Sequence, residues 1–468
     1  MSTSVALPLL GAPDVRGRNV LVYSLGMEGR DLAAWLLEQG AHVTISDTRT
    51  REQLAAAAAV APEGIERVVT GQPLLDPAGF DLLAVSQSVL RHDPAVLRAR
   101  DLAITVISQM QLFLRLLRGP VIGITGSSGK STTTALVGEM AAAAGIEHVV
   151  GGNIGQALLS RAAGIPAKAT VVLEISHTQL QYTDRSPEIA AVTNVTPNHL
   201  DQFSWDEYVA LKARLLAFQS PGDRAVLNAT DSVTVARLQP DARAAVTYAA
   251  PAGRVPGASA WFADGSVQVV SGGSSTRIAR RDEIQLPGEH NVANVVMACA
   301  IGVAAGFPVD AMRRAVLGFR GVPHRLEVVG GVNGTTWIND SIATSPERTM
   351  AGLRSFTEAV VLLLGGRDKN LPLAELRALA ATRCRAVVCF GEAGPLFHRA
   401  VAPALDDCTL VETLADAVAA ATLKARPGDI VLLSPAGTSF DAYSSFERRG
   451  EAFRALVRAL PGFEEMMR

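Results

Sequence analysis

The chain has few cysteines, few aromatic residues and almost no excess charge. Aromatic residues make up 5% of its 468 residues. The 43 basic and 45 acidic residues leave a formal net charge of −2, so no global electrostatic attraction to nucleic acid is expected. Cys299, Cys384, Cys389 and Cys408 have neither the spacing of a metal site nor that of a disulfide framework, and we expect free buried thiols.

Long hydrophobic runs are also missing. No apolar stretch reaches the about 18–20 residues of a membrane span. The first residues, MSTSVALPLLGAPDVRG, lack the basic start and hydrophobic core of a signal peptide. We therefore expect a soluble, cytoplasmic α/β protein, and a length of 468 residues suggests about three domains.

Residues 121–134, VIGITGSSGKSTTT, have the order strand, glycine loop, helix. Glycines allow backbone N–H groups to converge on phosphate oxygens at a helix N-terminus. Lys130 would then reach the β- and γ-phosphates, and the Ser131 hydroxyl would bind Mg²⁺. Ile124 stands where a strict P-loop has glycine, so the spacing is G-x-x-G-x-x-G-K-S. We interpret the stretch as a nucleotide site; the alternative is a glycine-rich turn without a ligand.

The first 115 residues predict a Rossmann-like β-α-β unit. A strand over 19–25 is followed by Gly26 and Gly29, a helix, and a second strand, HVTISD, that ends at Asp47. Dinucleotide folds place a ribose ligand at about this position. Ser24 replaces the first glycine of the fingerprint, so NAD is weakly supported, and another nucleotide is at least as good an interpretation.

Polar side chains follow the predicted strands of the middle region. Glu174 ends the strand 170–174, and Asn198, His199 and Asp201 follow the strand 189–195. In open α/β sheets ligands bind at the carboxyl ends of strands, where a carboxylate can bind Mg²⁺. Lys212 lies on an amphipathic helix and by itself would be a solvated lysine. Residues 224–228 and 242–280 predict the short strands of a small antiparallel sheet, and a helix opens near Asn291.

The last third predicts a third α/β domain, again with polar loops after its strands. Three such loops contain Asp340-Ser341, residues 365–369 and residues 434–439. The expected architecture is a Rossmann-like domain over 1–115, a central P-loop domain with a parallel sheet plus a small antiparallel sheet over 116–321, and a C-terminal Rossmann-like α/β domain over 322–468.

Taken together, the motifs resemble those of the Mur ligase superfamily, and within it the glutamate-adding branch. The resemblance spans nearly the whole chain in nine ordered blocks: GITGSSGKST, GGNIG, LEISHTQL, NVTPNHLD, LPGEHNVANV, PHRLEVV, NDSIATSPERT, LLGGRDK and LSPAGTSFDAYSSFERRGEAF. The last block separates this branch from its sister ligases and from folylpolyglutamate synthases.

The resemblance implies an ATP-dependent amide ligase. ATP would phosphorylate the carboxylate of UDP-N-acetylmuramoyl-L-alanine, and the amino group of D-glutamate would attack the acyl phosphate during peptidoglycan synthesis. In-line transfer between two anions needs cations to screen them, and two Mg²⁺ ions are expected. The implied partners are these small molecules, without nucleic acid or a membrane span, and we expect a monomer.

Carried over residue by residue, the resemblance assigns four groups of positions. Catalytic and metal-binding roles fall on Lys130, Ser131, Glu174, His199 and Lys212, with Lys212 carbamylated. ATP would contact Gly126, Ser127, Ser128, Gly129, Lys130, Ser131, Thr132, Asn291, Asn294, Arg325 and Asp340. The UDP-sugar would contact Leu25, Gly26, Met27, Asp47, Thr48, Arg49 and Asn153. Glutamate would contact Thr344, Lys369, Ser439, Phe440 and Phe446.

Several positions depart from the family pattern. His177 replaces a serine, Asn198 an aspartate and Ile342 a lysine. Gly437-Thr438 replaces Cys-Ala, and Ser86-Gln87-Ser88 replaces Ser-Pro-Gly. The departures at Asn198 and Ile342 remove charges near the metal and substrate, and they leave open whether the amino acid is D- or L-glutamate.

Three other interpretations remain open at this stage. A Rossmann oxidoreductase would reduce a substrate with NAD(P)H. A P-loop ATPase acting as a conformational switch would hydrolyse ATP without cosubstrates, whereas a ligase needs both. A sister ligase would add another amino acid, which the closing block disfavours.

Overall fold

Three β-sheets organise the chain in the computed structural model, which describes residues 13–56, 60–153, 158–286, 288–369 and 371–465. The chain divides into two compact units, Met1–Phe319 and Arg320–Arg468. The first unit contains two of the sheets and the second contains one. The division into three domains at residues 115 and 321 stays a prediction.

The first sheet has five parallel strands and a buried core. Its elements are β1 (Asn19–Tyr23), α1 (Met27–Glu38), β2 (His42–Asp47), α2 (Arg51–Ala56), β3 (Arg67–Thr70), β4 (Leu82–Val85), α3 (Pro94–Asp101), β5 (Thr105–Ser108) and α4 (Gln109–Leu116). The strand order is β3-β2-β1-β4-β5. Helices on a parallel sheet bury both faces, which explains why β1 and β4 are continuous apolar runs.

The second sheet has nine strands and carries the glycine-rich loop. Its elements are β6 (Val121–Thr125), α5 (Lys130–Ala143), β7 (His148–Gly152), β8 (Thr170–Glu174), α6 (His177–Leu180), β9 (Ile189–Val192), α7 (Trp205–Ala217), β10 (Arg224–Asn228), β11 (Ala245–Ala250), β12 (Ala258–Ala263), β13 (Ser266–Ser271), β14 (Ser274–Arg280), α8 (Glu289–Ala304) and α9 (Val309–Gly318). The order is β14-β13-β12-β11-β10-β9-β6-β8-β7. The antiparallel part expected over 224–280 is limited to β12, β13 and β14, which extend the central sheet. The prediction was wrong for β10 and β11, because both pair in parallel with their neighbours.

Helices α5 and α8 cover one face of the central sheet. Leu136 and Met140 of α5 and Val296 and Ile301 of α8 are fully buried in one apolar cluster with Ile124 of β6. Burying such side chains contributes about 1.5–3 kcal/mol each. This packing fixes the N-termini of both helices next to the loop that follows β6.

The third sheet is mixed. Its elements are β15 (Glu327–Val332), β16 (Thr335–Asn339), α10 (Pro346–Leu353), β17 (Val360–Gly365), α11 (Ala374–Arg383), β18 (Cys384–Phe390), α12 (Gly394–Val401), β19 (Cys408–Leu410), α13 (Leu414–Lys424), β20 (Ile430–Ala436), α14 (Phe446–Arg458) and β21 (Phe463–Glu464). The order is β19-β18-β17-β20-β16-β15-β21, parallel from β19 to β16 and antiparallel beyond. The α/β fold class predicted from the sequence is confirmed.

The four cysteines are free thiols. Cys299 and Cys389 are buried, whereas Cys384 and Cys408 are only partly buried. The prediction of free thiols is therefore confirmed for all four cysteines, and the prediction of burial is confirmed for Cys299 and Cys389.

Candidate active site

The loop between β6 and α5 requires glycine at two positions. Gly126 and Gly129 have φ angles of +150° and +78°, which a Cβ would strain. A Cβ at Gly129 would lie 2.2 Å from Asn294 Oδ1, and one at Gly126 would lie 1.9 Å from Thr193 Oγ1. The two glycines let the loop turn tightly into the N-terminus of α5, which is the arrangement that a phosphate cradle needs.

The order of the strands in the central sheet explains why the residues that are predicted to bind phosphate and metal lie close together. Strands β9, β6 and β8 are parallel neighbours, so the loops after them meet at one edge of the sheet. Glu174 is the last residue of β8 and is buried. Ser131 Oγ donates to Glu174 Oε2 at 2.5 Å, and Asn153 Nδ2 donates to Glu174 Oε1 at 2.9 Å. Both carboxylate oxygens are therefore held beside the loop.

Two lysines converge on the same loop. Lys130 Nζ donates to the carbonyl oxygens of Gly126 and Ser127 at 2.9 and 3.1 Å. Lys212 Nζ donates to Thr125 Oγ1 at 3.1 Å and to the Gly126 carbonyl oxygen at 2.9 Å. Lys212 is 1% exposed, so it is not the solvated lysine that its helix position alone suggests.

The ionisation of Lys212 follows from this burial. Burial lowers the pKa of Lys212 well below its ordinary value, the charge of Lys130 lowers it further, and Glu174 partly opposes both. A lysine with a depressed pKa has more of the uncharged amine at neutral pH, and the uncharged amine is the form that reacts with CO₂. The site therefore suits the carbamate that the resemblance implies.

An aromatic cluster surrounds His199. The His199 ring stacks on the His177 ring with centroids 4.2 Å apart, and His177 also contacts Phe203 and Tyr208. His177 is 8% exposed, and its Nε2 has no hydrogen-bond partner among the described residues. Burial, with smaller effects from Lys212 and His199, lowers the pKa of His177 to about 3. Sequence reasoning identified His177 only as a departure and gave it no role.

Two asparagines lie on the other side of the glycine-rich loop. Asn294 Nδ2 donates to Asn291 Oδ1 at 3.0 Å in the first turns of α8. Asn294 is the side chain that a Cβ at Gly129 would strike, so the pair borders the loop.

Two of the sequence blocks are described only in part. The residues that lie outside the described ranges are Ile154 and Gly155 of the block GGNIG and Pro287 of the block LPGEHNVANV.

In the first sheet, the Asp47 carboxylate points into the protein. It accepts hydrogen bonds from Leu25 N–H at 2.6 Å and from Arg49 Nε at 2.9 Å. Burial would raise the pKa of Asp47, but the hydrogen bonds from Arg49 and Leu25 outweigh it and lower the pKa. Met27 and Thr48 remain exposed. The Asp47 carboxylate thus joins the loop after β1 to Arg49, and its oxygens already have hydrogen-bond partners within the protein.

A partly buried carboxylate links the first two sheets. Glu28, in the first turn of α1, accepts from Gln179 Nε2 at 2.6 Å and from Gln87 N–H at 2.8 Å. The Gln87 side chain in turn accepts from Ser176 Oγ at 2.9 Å and Thr178 Oγ1 at 3.0 Å. The departure at Ser86-Gln87-Ser88 therefore provides contacts to the turn after β8, and sequence reasoning missed both Glu28 and this link.

In the second unit, Asp340 is buried at the end of β16. It accepts from Ser434 Oγ at 2.9 Å and from Leu326 N–H at 3.2 Å. Burial raises the pKa of Asp340 to about 7, against the hydrogen bonds and the charge of Arg325. The charge of Arg325, the other residue of this unit that the resemblance assigns to ATP, therefore acts on the Asp340 carboxyl.

The predicted glutamate residues lie on loops that the sheet brings together. Strands β17, β20 and β16 are parallel neighbours, and Thr344, Lys369 and Ser439 follow their carboxyl ends. Lys369 Nζ donates to Thr344 Oγ1 at 3.1 Å. Ser439 is buried and Phe440 is 39% exposed. The backbone carbonyl of Phe446, at the start of α14, accepts from Ser341 Oγ at 2.8 Å.

Two departures have a local explanation. Asn198 Oδ1 accepts from His199 N–H at 2.9 Å, so asparagine supplies the oxygen acceptor that aspartate would, without the charge. A Cβ at Gly437 would lie 2.6 Å from the Gly365 carbonyl oxygen, so glycine permits the loops after β17 and β20 to approach closely. Nothing in the structure explains Ile342.

Comparison with known families decides the identity. The Mur ligase middle domain matches residues 124–302, and the Mur ligase glutamate ligase domain matches residues 324–437. The chain belongs to the Mur ligase family. A UDP-N-acetylmuramoylalanine–D-glutamate ligase of Symbiobacterium thermophilum is 42% identical over 94% of this chain and 97% of its own length. One of Pelotomaculum thermopropionicum is 34% identical over 96% and 99%.

A solved Mur ligase structure has the same fold. A crystal structure of MurF from Acinetobacter baumannii is similar with a TM-score of 0.53 at 16% identity, covering 94% of this chain and 92% of that chain. No helix in the described part of this Mur ligase is long and apolar enough to cross a membrane.

Mur ligases use ATP and Mg²⁺. Among the described residues no three His, Cys, Asp or Glu side chains form a metal-binding group. Ser131 and Glu174 nevertheless present two oxygen ligands beside the loop, and Mg²⁺ is commonly held by one or two carboxylates, phosphate oxygens and water. Ser131 and Glu174 therefore fit a Mg²⁺ ion that also takes ligands from a bound nucleotide.

Proposed function

We propose that this Mur ligase joins D-glutamate to UDP-N-acetylmuramoyl-L-alanine at the expense of ATP, in the cytoplasmic stage of peptidoglycan synthesis. The reaction is that in the names of the relatives of Symbiobacterium and Pelotomaculum. These names favour D-glutamate over L-glutamate. The geometry that carries the proposal is the convergence of Ser131, Glu174 and Lys212 on one glycine-rich loop.

In the first step, a carboxylate oxygen of the UDP-sugar substrate attacks the γ-phosphorus of ATP, and ADP leaves. Lys130 and the loop N–H groups would hold the phosphates and neutralise charge that develops on them. Asn153, which is anchored to Glu174, would orient the muramoyl substrate. Asn291 and Asn294 would contact adenine, and Arg325 and Asp340 would also contact the nucleotide.

In the second step, the amino group of glutamate attacks the acyl carbon, phosphate leaves, and the nitrogen loses a proton. Thr344, Lys369, Ser439, Phe440 and Phe446 would hold glutamate. Lys369 serves as a mobile positive charge for a carboxylate. Uridine would bind near Leu25, Gly26 and Met27, with Thr48, Arg49 and the backbone of Asp47 at its edge.

When bound, Mg²⁺ supplies charge neutralisation for phosphoryl transfer. We assign one ion to Ser131 and Glu174, and a second to His199 and a carbamylated Lys212. The uncharged amine of buried Lys212 would form an N–C bond with CO₂ at Nζ and release a proton, which leaves a carbamate anion that can bind a cation. We also propose that the ligase is a monomer. Its chain would have three domains, divided at residues 115 and 321.

A phosphate-release assay tests this function. The purified protein is incubated with ATP, Mg²⁺ and UDP-N-acetylmuramoyl-L-alanine, with D-glutamate, with L-glutamate or without an amino acid. Release that needs both the nucleotide sugar and D-glutamate is expected. Faster phosphate release with L-glutamate than with D-glutamate would support the same ligase reaction with a different amino-acid substrate. Release that ignores every cosubstrate would indicate an ATPase switch and refute the ligase.

A further inference from the structure

Arg449 is a fully buried arginine under the predicted glutamate loops. It lies in the first turns of α14 and is 0% exposed. Its Nε donates to Ser341 Oγ at 3.0 Å, and its Nη2 donates to the Ser341 carbonyl oxygen at 2.9 Å. Its Nη1 donates to the carbonyl oxygens of Gly437 and Thr438 at 3.1 and 3.0 Å. One guanidinium therefore ties the loop after β16 to the loop after β20.

The third loop joins the same network. Arg367 and Thr438 exchange backbone hydrogen bonds of 2.8 Å in both directions. A Cβ at Gly366 would lie 2.0 Å from the Thr438 carbonyl oxygen and 2.6 Å from Arg449 Nη1, so the loop after β17 packs directly on the guanidinium. Arg449 is thus the point at which the loops bearing Thr344, Lys369 and Ser439 are joined.

The positive charge of Arg449 has no close counterion. All of its named acceptors are neutral oxygens, and among the described residues no carboxylate lies within 4.0 Å of its nitrogens. The Asp441 carboxylate acts on Arg449 from farther away and opposes the effect of burial. Burial lowers the pKa of Arg449 to about 10, which leaves it protonated at neutral pH. A buried charge that no carboxylate contacts is unfavourable unless other groups compensate it, and Asp441 does so only in part. Next to loops predicted to bind a dicarboxylate, a bound carboxylate would provide that compensation.

We propose that Arg449 is a positioning residue of the amino-acid site. It fixes the three loops in one arrangement, and its charge attracts the carboxylates of the incoming glutamate. This inference rests on the proposed function and extends it to a residue that contributes to the affinity for glutamate without being a catalytic residue. The sequence motif contains Arg449, but the motif alone assigns it no role.

The test compares Arg449→Met, Arg449→Lys and the control Arg448→Met. Arg448 neighbours Arg449 on α14 but is exposed and paired with Glu451. Values of KM are measured separately for glutamate, ATP and the UDP-sugar, together with kcat. Arg449→Met is expected to raise the KM for glutamate at least about tenfold, because it removes charge-assisted hydrogen bonds and the charge itself. Arg449→Lys keeps the charge and is expected to fall between wild type and Arg449→Met.

The KM values for ATP and the UDP-sugar are expected to stay within about twofold in each variant, and Arg448→Met is expected to match wild type. A KM for glutamate within twofold of wild type in Arg449→Met would refute the inference, as would an equal rise in all three KM values. If Arg449→Met does not fold, the same comparison is made with Arg449→Lys, where an unchanged KM for glutamate would refute the role of the loop contacts. Failure of the proposed function is a separate result, because wild type would then show no turnover that depends on glutamate.

Discussion

Ser131 Oγ and Glu174 Oε2 lie 2.5 Å apart, and they join the first turn of α5 to the end of β8. The contact exists because β6 and β8 are adjacent parallel strands. A hydroxyl and a carboxylate held in this way, beside a loop that ends in Lys130, form the centre of the proposed site for Mg²⁺ and ATP.

Glu174→Gln is expected to lower kcat at least about 100-fold, because it removes a carboxylate aimed at the site of phosphoryl transfer. Phosphate release at saturating substrates measures the effect. Glu139→Gln changes an exposed carboxylate on α5 and serves as the control. Comparable rates in Glu174→Gln and wild type would contradict the role assigned to Glu174.

Lys212→Ala is expected to lose activity at least about 100-fold and to regain part of it with short-chain carboxylates in solution. The physical reason is that a free carboxylate can enter the space left by the carbamate. A ¹³C carbamate resonance after incubation with labelled bicarbonate should appear in wild type and be missing from Lys212→Ala. Lys168→Ala, at an exposed lysine, is the control. A wild-type spectrum without this resonance would contradict carbamylation.

The KM for ATP is expected to rise as the pH falls from 8 to 6. The pKa of Asp340 is raised to about 7, so its carboxylate is mostly charged at pH 8 and mostly neutral at pH 6. If only the charged form binds nucleotide well, the rise is about tenfold. Asp340→Asn is expected to have a higher KM at pH 8 that changes little with pH. The same pH dependence in the variant as in wild type would rule out Asp340 as its source.

His177→Phe is expected to make folding less sensitive to acid. The folded-state pKa of His177 is about 3, below the ordinary value of 6.5, so between these values the unfolded chain binds a proton that the folded chain does not. Stability from this group is complete above pH 6.5 and is lost as the pH falls towards 3. Between pH 7 and 5 the variant should lose about 2 kcal/mol less free energy of unfolding than wild type.

Urea denaturation at the two pH values measures the difference between His177→Phe and wild type. Phenylalanine preserves an aromatic ring for stacking on His199 but cannot be protonated. His290→Phe, at an exposed histidine, serves as the control and should follow wild type. Identical losses of stability in His177→Phe and wild type would contradict the assignment.

Much of the fold follows from local sequence. Strands β2, β8 and β10 have the predicted bounds, because apolar runs that end in polar residues are strong signals. Helix α4 (Gln109–Leu116) is not among the elements predicted from the sequence. Its capping box, in which Ser108 and Gln111 exchange hydrogen bonds, is a signal of a helix N-terminus that the sequence carries.

The contacts between side chains were less predictable. The sequence indicated that Asp47 ends a strand, but not that its carboxylate is already paired with Leu25 and Arg49. The stacking of His177 on His199 and the bonds of Arg449 to two loops join residues far apart in sequence. Such contacts depend on tertiary packing, which periodicity and spacing do not encode.

The most direct test of the account follows oxygen atoms. UDP-N-acetylmuramoyl-L-alanine labelled with ¹⁸O in its carboxylate is turned over with ATP and D-glutamate, and the released phosphate is analysed by mass spectrometry. An acyl phosphate transfers one substrate oxygen to phosphate, so each turnover should yield phosphate with one ¹⁸O. Phosphate without ¹⁸O, released at the rate of ATP consumption, would mean that water attacks ATP and would contradict the ligase mechanism.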